Sequence, residues 1–373
     1  GAIALVAFGP LDSAAAWRAI DVGTIGLLFG LMVVSAQLRL GGFYTLVTRK
    51  LAARPTSPER LLLELVLTVG ALAALLTNDV VCLAVAPVLV DVCRRRGLDP
   101  VPYLLGLAGA ANVGSAATLI GNPQNLLVGQ ALELPFAPYL LDGGVPALLG
   151  LVATWAILAR AYRGKFAREL PPLASQDPPL DRWQTGKGLV LLAALTIALC
   201  VASVPHEVAA LAAAGLLLLS RRLTTRGMLQ YVDWHLLVLF AGLFIVNDAF
   251  RSAGHAAFAF DGLRAAGLDC RDPSTLFAVS VVGSNLISNV PLTMLLLPEA
   301  TDPQAGAILA LATTLAGNLL LVGSIANLIV VEQANALGIA PRRGGWAREH
   351  LRTGIPIALV TLAIAAAWLW LRR

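Results

Sequence analysis

Two polar interruptions inside otherwise apolar sequence constrain this chain more than any other feature. Residues 75–125 open with Leu75-Leu76-Thr77-Asn78-Asp79-Val80 and close with Leu119-Ile120-Gly121-Asn122-Pro123-Gln124-Asn125. Asn and Asp side chains offer the backbone local alternatives to helical hydrogen bonds, so Thr77-Asn78-Asp79 favours a break and an N-cap. Pro123 removes a donor and disfavours helix at Asn122. Both breaks sit in runs long and apolar enough for lipid. Irregular backbone at that depth persists only where it is buried in protein or lines a cavity. These residues mark where function should be.

Composition agrees with a membrane setting. The 373 residues are 58% hydrophobic and 13% charged, against about 25% charged in soluble domains. Several apolar runs of about 17–25 residues predict an all-α polytopic membrane protein. The net charge of +5 is carried by loops and is no nucleic-acid signal. Cys82, Cys93, Cys200 and Cys270 lack CxxC or zinc-like spacing, so neither disulfides nor a metal centre is expected. Four scattered histidines do not converge as an integral membrane enzyme would need, and no cofactor is expected beyond Na⁺ as a candidate coupling ion.

Charge at the ends of the runs sets an expected topology. Residues 1–8 supply half a span and read as the remnant of a first transmembrane helix. Residues 21–40 form the first complete span, followed by a basic loop with Arg49, Lys50, Arg54 and Arg60. Residues 61–93 are broken at Thr77-Asn78-Asp79 and end at Arg94-Arg95-Arg96. Each arm has about 15 residues, roughly 22 Å, too short for a span. Basic clusters at both ends then predict a re-entrant hairpin entered from the cytoplasm. Residues 103–132 cross outward with a break at 121–125, and 145–162 return. The Pro-rich, basic stretch 163–187 reads as a cytoplasmic linker. It separates an N-terminal half (1–162, repeat 1 at about 20–132) from a C-terminal half (188–373, repeat 2 at about 232–337).

The halves are one unit used twice. Residues 20–42 align without gaps on 232–254, matching Asp21 to Asp233, Gly30 to Gly242, Arg39 to Arg251 and Gly42 to Gly254. Asn78 pairs with Asn289 in Ile287-Ser288-Asn289-Val290-Pro291, the tip of a second hairpin over 273–297. LIGNPQNLLV at 119–128 pairs with LVGSIANLIV at 321–330, preserving Gly121/Gly323 and Asn125/Asn327. Matched spans run in opposite directions by charge, so the repeat is inverted. Secondary transporters combine these features; passive channels and structural bundles seldom do.

The expected geometry carries a mechanism. Two hairpin tips from opposite faces meet two broken helices at the midplane. Helix N-termini after each break direct free N–H groups at the gap, which suits an anion without a buried Lys or Arg. Released carbonyls suit a small cation. Thr77, Asn78, Asn122, Asn125, Ser288, Asn289, Ser324 and Asn327 are the expected substrate-binding residues. Asp79, Asn78, Gly121, Asn289 and Gly323 are the expected sites for the coupling ion or proton. Asp79 is the one carboxylate beside a predicted midplane tip, a position where ionisable groups are functional by default. Asn112 and Asn318 precede the breaks and either support the site or bond across helices.

At LLTNDV, LIGNPQN, ISNVP and GSIAN the chain resembles the ion transporter superfamily. The nearest branch is that of arsenite permeases and sodium/proton antiporters, including bacterial anion or citrate permeases. That resemblance covers nearly the whole chain and implies a multi-pass inner-membrane protein that forms a homodimer, with a scaffold domain and a moving transport domain. In dicarboxylate members both tips end in Thr; here Asp79 and Val290 stand there. The leading expectation is a transporter of a small anion or oxyacid coupled to H⁺ or Na⁺. The alternatives are a Na⁺/H⁺ antiporter and an arsenite or metalloid efflux permease.

Overall fold

The computed structural model describes the chain apart from residues 10–11, 172–179, 202–203, 221 and 343. Pro172, Pro178 and Pro179 of the expected linker, and the basic residues Arg221 and Arg343, lie outside the described residues. The described residues fold into helices, with one isolated bridge between Leu98 and Ala167. Helices α1 (Ala2–Phe8) and α2 (Ser13–Ala19) precede α3 (Val22–Leu40). Asp21 starts α3 by accepting the Thr24 N–H at 3.0 Å. Then come α4 (Phe43–Ala52), hairpin 1 from α5 (Pro58–Leu75) and α6 (Asn78–Arg95), the broken crossing α7 (Pro100–Ser115) and α8 (Pro123–Ala131), and the return helix α9 (Phe136–Ala161).

Helices α10 (Arg182–Val201), α11 (His206–Leu218) and α12 (Thr225–Leu229) lead into the second copy. There α13 (Trp234–Ser252) repeats α3, and α14 (His255–Ala265) repeats α4. Hairpin 2 is α15 (Pro273–Ile287) with α16 (Asn289–Leu296). The second broken crossing is α17 (Ala305–Ala316) with α18 (Ile325–Ala336), and α19 (Gly345–Leu371) repeats α9. By length and composition α3, α9, α10, α13 and α19 can each cross a membrane. Large apolar side chains such as Val190, Ile197, Val238 and Leu359 are exposed on these helices, as lipid-facing residues are. The chain is a polytopic helical membrane protein with inverted repeats, each holding a re-entrant hairpin and a broken helix.

Two local expectations are corrected. The stretch after the first span is not simply a basic loop, because residues 43–52 form α4. Gly42 makes the turn at φ 77° and Gly254 makes its counterpart before α14 at φ 79°, a conformation only glycine adopts freely. Buried Tyr44 and Thr48 then hold α4 down, with the Tyr44 hydroxyl 2.8 Å from Ser35 Oγ. The expected linker is also shorter, since α10 begins at Arg182. Asp181 Oδ1 accepts the N–H groups of Trp183 and Gln184, both at 3.0 Å, so the six residues before 188 are helical.

Packing separates two groups of helices. In one, α3 lies against α10 and α11 so closely that a Cβ on Gly30 would fall 2.7 Å from Ala210. In the other, the hairpins pack on the broken crossings, and α9 packs along α19. Here α5 meets α7 at Gly70, where a Cβ on Gly114 would lie 2.3 Å from Gly70 Cα. The groups touch where α4 rests on α6, α3 on α8, and α13 on α16.

The tips of the two hairpins differ. Hairpin 1 turns through Leu76 (φ −127°) and Thr77 (φ −60°), both ordinary conformations. In hairpin 2 Ser288 alone ends α15 and starts α16, at φ 91° and ψ 152°. A non-glycine residue there costs on the order of 1–3 kcal/mol. Replacing Ser288 with Gly should raise stability by about 1 kcal/mol, while Thr77→Gly should lower it. Thermal unfolding of the two purified variants checks the contrast.

Candidate functional site

The tips and breaks converge on one small cavity of about 50 Å³. Hairpin 1 contributes Asn78 and Asp79, and hairpin 2 contributes Ser288, Asn289 and Val290. The breaks add Pro123 and Gln124 from α8 and Val322, Gly323, Ser324 and Ile325 around the start of α18. Leu236 and Phe240 of α13 form an apolar wall. Asp79 is the only charged side chain among these lining residues. It is half-buried, and among the described residues no ion pair or side-chain hydrogen bond engages its carboxylate.

Behind the cavity, polar side chains brace the breaks, and they do so across the repeats. Asn112 of α7 is the hub. Its Oδ1 accepts from Asn78 Nδ2 at 3.2 Å and from the Ser324 hydroxyl at 2.8 Å. Its Nδ2 donates to Asn318 Oδ1 at 2.9 Å and to Asn327 Oδ1 at 3.1 Å. A side chain on the first repeat thereby ties its own hairpin tip to the break of the second.

The reciprocal brace uses Thr314 of α17, the residue matching Asn112 in the alignment that pairs Gly121 with Gly323. Thr314 Oγ1 accepts from Asn122 Nδ2 at 3.2 Å and Gln124 Nε2 at 3.1 Å, and donates to Asn125 Oδ1 at 3.0 Å. Each break is also closed by its own Asn. Asn125 Nδ2 donates to Thr118 O at 3.0 Å, and Asn327 Nδ2 to Leu320 O at 3.3 Å. Asn122 caps α8 by accepting the Asn125 N–H at 2.9 Å. Free carbonyls and amides at a helix break are costly in a dry interior, and these side chains satisfy them.

Of the residues expected from sequence, Asn78, Asp79, Ser288, Asn289, Gly323 and Ser324 line the cavity. Asn122, Asn125 and Asn327 stand behind the wall with their side chains bonded to protein, and Gly121 O accepts the Asn78 N–H at 3.0 Å. Thr77 is buried as the residue before α6. Sequence reading missed Gln124, Thr314, Leu236 and Phe240. Thr314 was within reach, because the shift that pairs the two Gly residues also pairs it with Asn112. Asn112 bonds across helices to Asn318 and also engages Asn78 and Ser324 of the cavity wall. All four cysteines are free, and no cluster of His, Cys, Asp or Glu able to hold a metal occurs among the described residues.

Comparison with known proteins places the chain. The family model described as citrate transporter matches residues 1–316. A 46 kDa membrane protein of Mycobacterium leprae is 30% identical over 380 residues, covering 95% of this chain and 87% of that protein. The inner membrane protein YbiR of Escherichia coli is 31% identical, with 91% and 86% covered. The silicon efflux transporter LSI3 of rice is 27% identical, with 98% and 90% covered. Among solved structures, the YdaH transporter of Alcanivorax borkumensis shares the fold at a TM-score of 0.57 and 17% identity, over 97% of this chain and 90% of that one. With its duplicated hairpins and broken helices, this chain belongs to the citrate transporter (CitMHS) family of secondary membrane transporters.

Proposed function

We propose that this protein moves a small oxyacid, uncharged or singly charged, across the membrane by alternating access, with Asp79 carrying the coupling charge. The cavity carries this reading. It holds one carboxylate and no basic side chain, and its volume of about 50 Å³ is small. Pockets for drug-sized molecules measure about 300–1,000 Å³. A tricarboxylate would bring its charges against Asp79 with no Arg or Lys to pair them. A compact hydroxy acid instead meets what the wall offers: N–H groups at the starts of α6, α8, α16 and α18, the amides of Asn78 and Gln124, and the hydroxyls of Ser288 and Ser324. The full-length similarity to a plant silicon efflux transporter supports the same substrate class.

In this reading the ligand contacts Asn78, Gln124, Ser288, Asn289 and Ser324, and Thr77, Asn122, Asn125 and Asn327 hold the wall in register. Gly121 and Gly323 let the backbone of the breaks approach the hairpins closely. The basic loops and the 163–187 segment lie in the cytoplasm by the positive-inside rule. Thermal unfolding with a panel of acids tests the substrate, since a ligand stabilises only the state it binds. Silicate, arsenite or borate should raise the unfolding temperature, and citrate and succinate should not. Stabilisation by citrate alone would overturn the proposal. So would Na⁺/H⁺ exchange in proteoliposomes that no oxyacid affects.

A further inference from the structure

The return helices α9 and α19 reach the two breaks in the same way. In repeat 1, Tyr139 of α9 is buried, and its hydroxyl donates to Ala116 O at 3.0 Å. Four residues on, Gly143 lets α9 approach, since a Cβ there would fall 2.4 Å from Ala116 O. In repeat 2, His350 of α19 is buried with its Nε2 3.0 Å from Asn318 O. Gly354, again four residues on, has no room for a Cβ, which would fall 2.5 Å from Asn318 O. The alignment that pairs Gly121 with Gly323 also pairs Ala116 with Asn318. Tyr139 and His350 are therefore counterparts. Each holds a carbonyl just past the end of the first half of a broken crossing.

The counterparts differ in chemistry. A carbonyl only accepts, so His350 Nε2 carries the proton, a tautomer assigned from that bond. A phenol keeps its proton near neutral pH, whereas imidazole changes charge between pH 5 and 8. Of the four histidines only His350 is buried. No counter-charge is set against its ring. On its own helix Arg348 and Arg352 are exposed, and Glu349 accepts from the Tyr162 hydroxyl at 2.5 Å and from Arg352 at 3.2 Å. Along α9, Asp142 pairs with Arg372 at the far end of α19, and Arg160 is exposed. Glu332 of α18 is exposed as well. Helices α7 and α17 and residues 321–323 carry no charged side chain, and the Tyr103 hydroxyl donates to Pro58 O. An imidazolium held in this contact is a buried charge without a partner, which costs far more than a neutral ring.

Asn318 links that ring to the cavity. Its Oδ1 accepts from Asn112 Nδ2, and Asn112 Oδ1 accepts from Asn78 Nδ2 and the Ser324 hydroxyl. Asn78 and Ser324 both line the cavity. We infer that His350 is a proton-responsive positioning residue: neutral, it holds the break of repeat 2 in the geometry that binds the oxyacid. Protonation at low pH releases α19 from Asn318 and loosens the cavity wall. Tyr139 holds the break of repeat 1 without responding to pH. This rests on the oxyacid-transporter reading and deepens it by naming how that site is regulated.

The test uses the detergent-purified full chain carrying Asp79→Asn, which takes the cavity carboxylate out of the titration. With no oxyacid present, the buried neutral ring should give full stability above about pH 6.5. That stability should fall as the pH drops towards 5, because the unfolded chain then binds the proton more readily. Adding His350→Gln, whose amide keeps a donor near Asn318 O, should remove the fall. Boric acid stays uncharged over this range, and its dependence of the unfolding temperature on concentration gives an apparent affinity. With His350 present that affinity should drop by about threefold or more from pH 8 to pH 5, and with His350→Gln it should stay level. Should His350→Gln not fold, His350→Tyr installs the residue of repeat 1 and carries the same expectations.

An equal loss of stability at low pH with and without His350 would overturn the inference. So would boric acid affinity with the same pH dependence in both chains, because His350 would then be structural only. Oxyacid counterflow separates the two readings. Counterflow with neither pH profile altered by His350→Gln removes the role of His350 and leaves the transporter proposal standing. A pH-dependent stability that His350→Gln levels, in a chain that neither binds nor exchanges any oxyacid, removes the transporter proposal and keeps the hold of His350 on the break.

Discussion

Asn112→Ala is expected to lower stability on the order of 3 kcal/mol and to abolish measurable oxyacid exchange. Asn112 joins Asn78, Ser324, Asn318 and Asn327 through four hydrogen bonds in a buried setting. Deleting it leaves several polar atoms unpaired, each costing about 1–3 kcal/mol where water cannot reach. Single interhelical hydrogen bonds in membranes average only about 0.6 kcal/mol, so the loss is large because one side chain serves four partners. Asn112→Thr should be intermediate, since a hydroxyl serves as Thr314 does but cannot span all four groups. Thermal unfolding and counterflow of the two variants are the measurements. An alanine variant as stable as the parent chain would show that the network is not what holds the breaks together.

Asp79→Asn is the second large effect. It should keep equilibrium counterflow, because the amide preserves size and hydrogen bonding at the tip. Accumulation driven by an ion gradient should fall on the order of tenfold or more, since the cavity then has no charge to carry. The carboxylate has no Arg or Lys beside it to make its charge merely structural. Proteoliposomes loaded with oxyacid and given an imposed H⁺ or Na⁺ gradient distinguish the two modes. Full driven uptake by Asp79→Asn over pH 5–8 would remove Asp79 from the coupling step.

Several levels of this protein were legible in the residues alone. The breaks at Thr77-Asn78-Asp79 and Gly121-Asn122-Pro123 follow from local backbone chemistry. The inverted repeat follows from matched residues such as Asp21 and Asp233. The α4 helix escaped because Arg49 and Lys50 look like a loop when only charge is weighed. Yet Gly42 and Gly254 already marked two equivalent turns, and comparing the stretches after them would have found α4 and α14 together. The start of α10 is hidden in a similar way: Asp181 supplies its cap, but it sits at the end of a Pro-rich, basic stretch whose composition reads as linker.

That a duplicated pair of hairpins and broken helices must meet inside a membrane follows from the order of residues, because polar breaks in long apolar runs have no other stable place. Which polar residues face the cavity and which brace it depends on how the helices pack. The partners of Asn112 lie 206 and 215 positions away at Asn318 and Asn327, and no local rule pairs them. The same holds for the inequality of the halves. Tyr139 and His350 share no motif in sequence. Packing of α9 and α19 on the two breaks sets a phenol on one carbonyl and an imidazole on its counterpart.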